Sequence, residues 1–354
     1  MKPIRKIMAF VLTCVLLLTT CAVTALAADK TVSLLCYNVA GLPSISGLMG
    51  MENTDVAGNQ RQLGNLLNAE SYDIIAVQED FGYHRLLSAG LTHYPYQTVH
   101  SGGIPGGDGM NIFSKFPLYN TRRVPWQMAS GVFNDGDELT PKGILYALLD
   151  LGDGIYVDLY VIHADAFDDD GSVMARNDNF RQLAAMINAK KSNRPVIITG
   201  DFNTSSHLAH GAEFTKYMIE NAGFKDAWTE FKNNHNYSNY DTYITQYGTS
   251  YEGYWGVWDS VEKVLYRDGK GVTVDVTDFS YVGFTNSAGA SISDHKAASA
   301  TLTFTKTPEF TETTKCLRLP HADYHNSLLV KSYIIVKDLY KVLLHIDDLI
   351  ALIQ

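Results

Sequence analysis

The sequence predicts a single large α/β domain with its sheets packed as a sandwich, on three observations. Between residues 31 and 304, short runs rich in β-branched and aromatic residues alternate with segments of helical periodicity. Runs 32–37 and 156–162 combine alternation with continuous apolar character, as strands lining a sandwich core do. Several runs also end in a polar residue capable of chemistry: Asn38 in LLCYNVAG, Glu79 in DIIAVQED, His163 in LYVIHADA, and Asp201 with Asn203 in VIITGDFN.

Taken in order, residues 1–28 read as an export leader. Lys2, Arg5 and Lys6 supply a positive start, Ile7 to Leu18 an apolar core, and Ala25-Leu26-Ala27 an A-x-A cleavage pattern. The apolar stretch is short for a membrane span. Secretion is expected, and lipid anchoring at Cys21 is disfavoured because Thr20 precedes it rather than a Gly or Ala. Of the four cysteines, Cys36 and Cys316 remain after cleavage, too few for a disulfide framework. Cys36 lies inside an apolar run and reads as a small buried side chain. Whether the two pair cannot be read from spacing.

Loss of the leader takes the formal net charge from −10 to about −13. So acidic a chain lacks the basic footprint of a nucleic-acid binder. Nothing in the sequence points to an oligomer.

Strands are expected at 32–39, 74–78, 109–113, 144–151, 155–163, 196–199 and 297–304, and helices at 60–67 and 175–188. In the second helix Phe180, Leu183, Ala184 and Ile187 share one face. Gly- and Pro-rich connections fall at 102–109 and around Pro195, where loops beside strand ends carry site residues. A Tyr-rich segment holds Tyr237, Tyr240, Tyr243, Tyr247, Tyr251 and Tyr254, which favours packing over a substrate rim. The catalytic domain is expected over 29–306. Residues 307–354 form a Thr-rich linker and an apolar tail with helical pattern. Lys337, Asp338, Lys341, Asp347 and Asp348 argue against that tail crossing a membrane.

The polar residues gain meaning together. Asp201 can take a proton from water, and the Asn203 amide can bind a metal or a phosphate oxygen. Glu79, directly after a strand, suits oxygen coordination of Mg²⁺. A protonated His163 can stabilise a phosphoryl transition state or protonate a leaving oxygen. Asp294-His295 precedes the closing strand in SISDHKAA, and His295 needs an acceptor to orient it, for which Asp259 in VWDSVEKVLY is the best candidate. Singly, each has an ordinary alternative as a turn, cap or solvated residue. Signatures of zinc peptidases, P-loop NTPases and serine hydrolases are missing.

On these motifs the chain resembles the endonuclease/exonuclease/phosphatase superfamily over roughly residues 31–305. That resemblance implies a DNase I-like four-layered α/β sandwich, two packed and mostly antiparallel β-sheets flanked by helices. It assigns Asn38, Glu79 and Asp294 to the metal site and His163, Asp201, Asn203 and His295 to the hydrolytic centre, with Asp259 orienting His295. Residues 137–147, DELTPKGILYA, resemble the D-x-L-x-x-K-G stretch of secreted neutral-sphingomyelinase-like phospholipases C. Lys142 in that stretch and Arg176 in MARNDNFRQL are then expected to bind substrate.

The implied activity is Mg²⁺-dependent phosphodiester hydrolysis, with Mn²⁺ or Ca²⁺ as alternative ions and a phospholipid headgroup at a membrane surface as the substrate. An extracellular DNase, an inositol or sugar phosphate phosphatase, and an inactive adhesion or delivery module are the competing expectations. Substrate selectivity lies in loop shape that the sequence does not display.

Overall fold

In the computed structural model, residues 29–42, 55–103, 107–130, 141–205, 214–237 and 259–310 are described. The expected leader, Cys316, the tail and the tyrosines from Tyr240 to Tyr254 lie outside them. Tyr237 is described and serves packing: its hydroxyl accepts from Asp226 N (2.9 Å) and donates to Glu230 Oε1 (2.7 Å).

Among the described residues twelve strands run in chain order: β1 Lys30–Asn38, β2 Ile74–Gln78, β3 Tyr96–Gln97, β4 Asn111–Ser114, β5 Leu118–Pro125, β6 Gly143–Asp150, β7 Tyr156–His163, β8 Val196–Asp201, β9 Lys225–Asp226, β10 Glu262–Arg267, β11 Val272–Val282 and β12 Ala297–Lys306. Helices α1 Val56–Glu70, α2 His84–Gly90, α3 Asp170–Lys190 and α4 Ala227–Lys232 lie between them. Among the described residues no helix is long and apolar enough to cross a membrane.

The strands form two six-stranded sheets, ordered β11-β12-β1-β2-β4-β3 and β5-β6-β7-β8-β10-β9. The two orders match position by position, including the single parallel pairing in each: β1 with β2, and β7 with β8. All other neighbours are antiparallel. A parallel pair needs a crossover, and α1 and α3 provide one in each half.

Period-2 alternation sorts the side chains into layers. Leu34, Cys36, Ile74 and Ala76 meet Leu145, Ala147, Leu159, Val161, Ile197 and Val264 in a core between the sheets. The alternate residues face outward: Leu35, Tyr37, Ile75 and Val77 pack with Leu63 and Leu67 of α1. Ile144, Tyr160, Ile162 and Ile198 pack with Phe180, Leu183 and Ile187 of α3. The result is helix, sheet, sheet, helix, the four-layered sandwich expected. Asp169 caps α3 by accepting from Gly171 N and Ser172 N at 3.0 and 3.2 Å, which fixes where that outer helix begins.

One glycine is required by the approach of β7 to β8. Gly200 has φ 151°, and a Cβ there would lie 2.0 Å from the Ile162 carbonyl oxygen. The strand expected over 196–199 runs on through Gly200. The strand continues to Asp201, paired opposite His163.

Candidate active site

The inward rows of β1, β7, β8 and β10 end at one rim, which is what gathers the polar residues. On β1 the row Leu34, Cys36 leads to Asn38; on β7 Leu159, Val161 leads to His163; on β8 Ile197 leads through Thr199 to Asp201. β10 runs the other way, so its inward row of Tyr266 and Val264 arrives at Glu262, which is paired opposite Asp201. Glu79 lies one residue past the end of β2. Its left-handed backbone (φ 57°) turns the chain there, a conformation a non-glycine residue holds only where its surroundings fix it.

Asp201 is the hub. Asn38 Nδ2 donates to Asp201 Oδ2 and to Glu79 Oε1, both at 3.0 Å. His163 Nε2 and His295 Nδ1 lie 3.5 and 3.9 Å from the same Asp201 oxygen. The other oxygen accepts from Asn203 N at 2.9 Å, and Asn203 Nδ2 donates to Ala164 O at 3.0 Å, tying the loops after β7 and β8 together. Ser293 Oγ donates to Asn38 O at 2.8 Å and accepts from His295 N at 3.1 Å, fixing the 293–295 turn over the end of β1. Side chains from both sheets thus meet within hydrogen-bonding range.

Charges are distributed unevenly. Burial works against a charge on Asp201, yet His295, His163 and the Asn38 hydrogen bond hold its carboxyl below the usual range. Burial also opposes a charge on His295, but Glu262, hydrogen-bonded to Nδ1, with Asp201 and Asp294 beyond, carries it well above the ordinary histidine value. His163 goes the other way: burial, with Lys142 and His295 adding to it, pushes it well below. The two imidazoles are thus pushed in opposite directions, His295 up and His163 down. Burial raises the Glu79 carboxyl, opposed by Asn38, His295 and Lys142.

Two expectations are corrected. Asp259 does not orient His295; Glu262 does. Asp259 forms an ion pair with Lys263, whose side chain points to the opposite side of β10 from Glu262, and Asp226 Oδ2 lies 3.9 Å from the same ammonium. Two buried carboxylates share that ammonium, and burial pushes Asp226 up to about 6. Arg176 is not exposed to substrate. It is 1% exposed and donates to the carbonyls of Asp165 and Phe167 (3.1 and 2.6 Å) and to Asp168 Oδ1 (3.1 Å), bracing the loop after His163. Glu262 was missed; its signal was the alternation of Glu262, Val264 and Tyr266.

The remaining candidates surround the hub. Lys142 immediately precedes β6, and its charge acts on Glu79, His163 and Asp201. Asp294 is exposed and acts on Glu79 and His295. Cys36 is buried and free, and burial pushes its thiol up, so it is no nucleophile.

The donors Glu79, Asp294 and Asn38 are all oxygen-bearing and fit a hard divalent ion. A cation beside Glu79 would relieve the burial that disfavours its charge. Asn38 now turns its NH₂ to the carboxylates and its Oδ1 to Ala40 N at 3.1 Å, so it would join a metal only after the amide rotated. Asp201, Glu262 and His295 also bring one ligand atom each within 4.8 Å of the others, with Glu262 bonded to His295 Nδ1.

Comparison with known proteins agrees with this geometry. The model of the endonuclease/exonuclease/phosphatase family matches residues 35–295. A sphingomyelinase of Mycobacterium tuberculosis is 30% identical over 278 residues, covering 75% of the chain and 51% of that protein. The chain therefore spans about half the length of the curated relatives it matches first. Sphingomyelinase C from Streptomyces griseocarneus superposes with a TM-score of 0.52 at 22% identity, over 77% of the chain and 99% of its own. Beta toxin from Staphylococcus aureus, in a structure with bound magnesium ions, gives 0.53 at 18% over the same shares. Such identities establish the fold, which is DNase I-like.

Proposed function

The chain belongs to the endonuclease/exonuclease/phosphatase family, and from that premise we propose that it is a metal-dependent phosphodiesterase acting on a phospholipid headgroup, sphingomyelin before others. One observation carries the proposal: Asn38, His163, Glu262 and His295 surround Asp201 at a rim that Glu79 and Lys142 flank. The likeness to a sphingomyelinase supports the headgroup, and the leader-like pattern of residues 1–28 supports action outside the cell.

Glu79 and Asp294, with Asn38 once its amide turned, would hold a Mg²⁺ ion. When bound, that ion would neutralise phosphate charge and make attacking water more acidic. Asp201, kept ionised by its neighbours, accepts the proton of that water. As the bond from water oxygen to phosphorus forms, the bond from phosphorus to the leaving oxygen breaks, and His295 gives its proton to the departing alkoxide. Glu262 holds the imidazolium ready for that transfer. His163 stays neutral and steadies Asp201, while Lys142 attracts the phosphate. In this reading the leaving-group proton comes from His295 rather than from His163 as expected, because environments that push two pKa values apart set which group is the acid.

A panel of sphingomyelin, phosphatidylcholine, DNA and inositol phosphates, each with and without EDTA, tests this. The expected result is phosphocholine release from sphingomyelin that EDTA abolishes. DNA cleavage with intact lipid would make the protein a nuclease, inorganic phosphate release a phosphatase, and EDTA-resistant turnover would remove the metal from the account.

A further inference from the structure

A second cluster, made of different side chains, stands next along the chain from Glu79. Asp80, His84 and His100 each bring one ligand atom within 4.8 Å of the others. Asp80 is 1% exposed, and its N–H is fixed to Gly109 O at 2.9 Å. Its Oδ2 accepts from Asn111 Nδ2 at 2.9 Å and lies 2.6 Å from His84 Nδ1. Its Oδ1 is buried and has no hydrogen-bond donor among the described residues. A buried carboxylate oxygen left without a donor is costly, and a cation removes that cost.

The imidazoles are set up to complement it. His84 Nδ1 faces a carboxylate and His100 Nε2 faces the Asp80 carbonyl oxygen at 2.9 Å, so both nitrogens are donors. Both nitrogens point at Asp80, so a cation would take the place of the protons between Asp80 and the two rings. The rings stack at 4.2 Å and 7°, and burial, with His84 adding to it, holds His100 below its ordinary value. Asp80 is buried while His84 and His100 are only partly so, which leaves the cluster open to solvent on the imidazole side.

We infer that Asp80, His84 and His100 form a second cation site, for a divalent ion of borderline softness such as Zn²⁺. Two nitrogen donors and one carboxylate select against Mg²⁺ and Ca²⁺, which take oxygen. The site is chemically distinct from the oxygen donors around Glu79 and stands whether or not those act on phosphodiesters. Through Asp80 it adjoins the left-handed turn at Glu79, so an ion held there would brace the end of β2.

The test uses the full chain stripped with a chelator, then titrated with Zn²⁺ by calorimetry and with Co²⁺ by visible absorption. Circular dichroism confirms that each variant is folded. One tight Zn²⁺ equivalent, with Co²⁺ bands reporting nitrogen ligation, is expected in the wild type and in Glu79→Gln. It is expected to weaken at least about tenfold in His84→Asn/His100→Asn. His84→Asn alone, which spares His100, is expected to fall between. Unchanged affinity in the folded double variant, or loss of the tight equivalent in Glu79→Gln with retention in the double variant, would overturn the site.

Discussion

At the level of single residues, the site turns on two histidines pushed apart: Glu262 raises His295 against its burial, and burial lowers His163. A histidine whose pKa is raised keeps its proton at higher pH, so activity that needs protonated His295 persists above the ordinary histidine range and falls as pH rises through the raised value. Activity that needs ionised Asp201 is lost in the opposite direction, below the usual carboxylate range. Glu262→Gln removes the charge that counters burial of the imidazolium. It should move the alkaline limb of the kcat/KM profile down by about 1 to 3 pH units and leave the acid limb in place. Asp259→Asn should leave the alkaline limb unmoved. It should cost about 3 kcal/mol in urea unfolding, because buried Lys263 loses its nearest carboxylate. A shifted limb in Asp259→Asn with none in Glu262→Gln would restore the assignment expected from the sequence. The choice between the two carboxylates was not legible because facing depends on a strand the composition obscured. Glu262 and Lys263 are adjacent in sequence and point to opposite layers.

At the scale of elements, the site depends on two matching β-helix-β units, β1-α1-β2 and β7-α3-β8. Each parallel pair delivers its polar residues together: Asn38 with Glu79, and His163 with Asp201. Those strands and both helices were legible because they carry long apolar runs with a clear period. β5, β10 and β11 were not expected, since charged and polar residues interrupt them; in β11 Asp275, Thr277 and Asp278 hide an alternating row. Two-residue strands such as β3 and β9 have no period to detect. Gly200 sets how closely β7 and β8 approach. Gly200→Ala should destabilise the fold by about 1–3 kcal/mol from backbone conformation alone, with the contact to Ile162 O adding to it. Chemical denaturation measures that loss, and a stability equal to wild type would show that the strands separate freely.

Across the whole molecule, two topologically equivalent sheets each supply half of one site at their shared rim. Asn38, Glu79 and His295 belong to one sheet and its loops; His163, Asp201, Glu262 and Lys142 belong to the other. Assembly of the proposed site therefore requires the packed sandwich, and neither sheet carries the complete set. Sequence order alone pointed to the convergence because residues ending core-facing rows must emerge at the edge of that core. It could not assign Arg176, whose position on α3 gives no sign that its guanidinium turns back to carbonyls behind His163.

Steady-state turnover of sphingomyelin against Mg²⁺ concentration, in wild type, Glu79→Gln, Asp201→Asn and His163→Ala, probes that convergence most directly. Glu79→Gln should need more Mg²⁺ and recover part of its rate when supplied with it. Asp201→Asn and His163→Ala should stay at least about 100-fold slow at every concentration. Wild-type rates in all three variants at the same Mg²⁺ would mean that the rim does not hydrolyse phosphate esters.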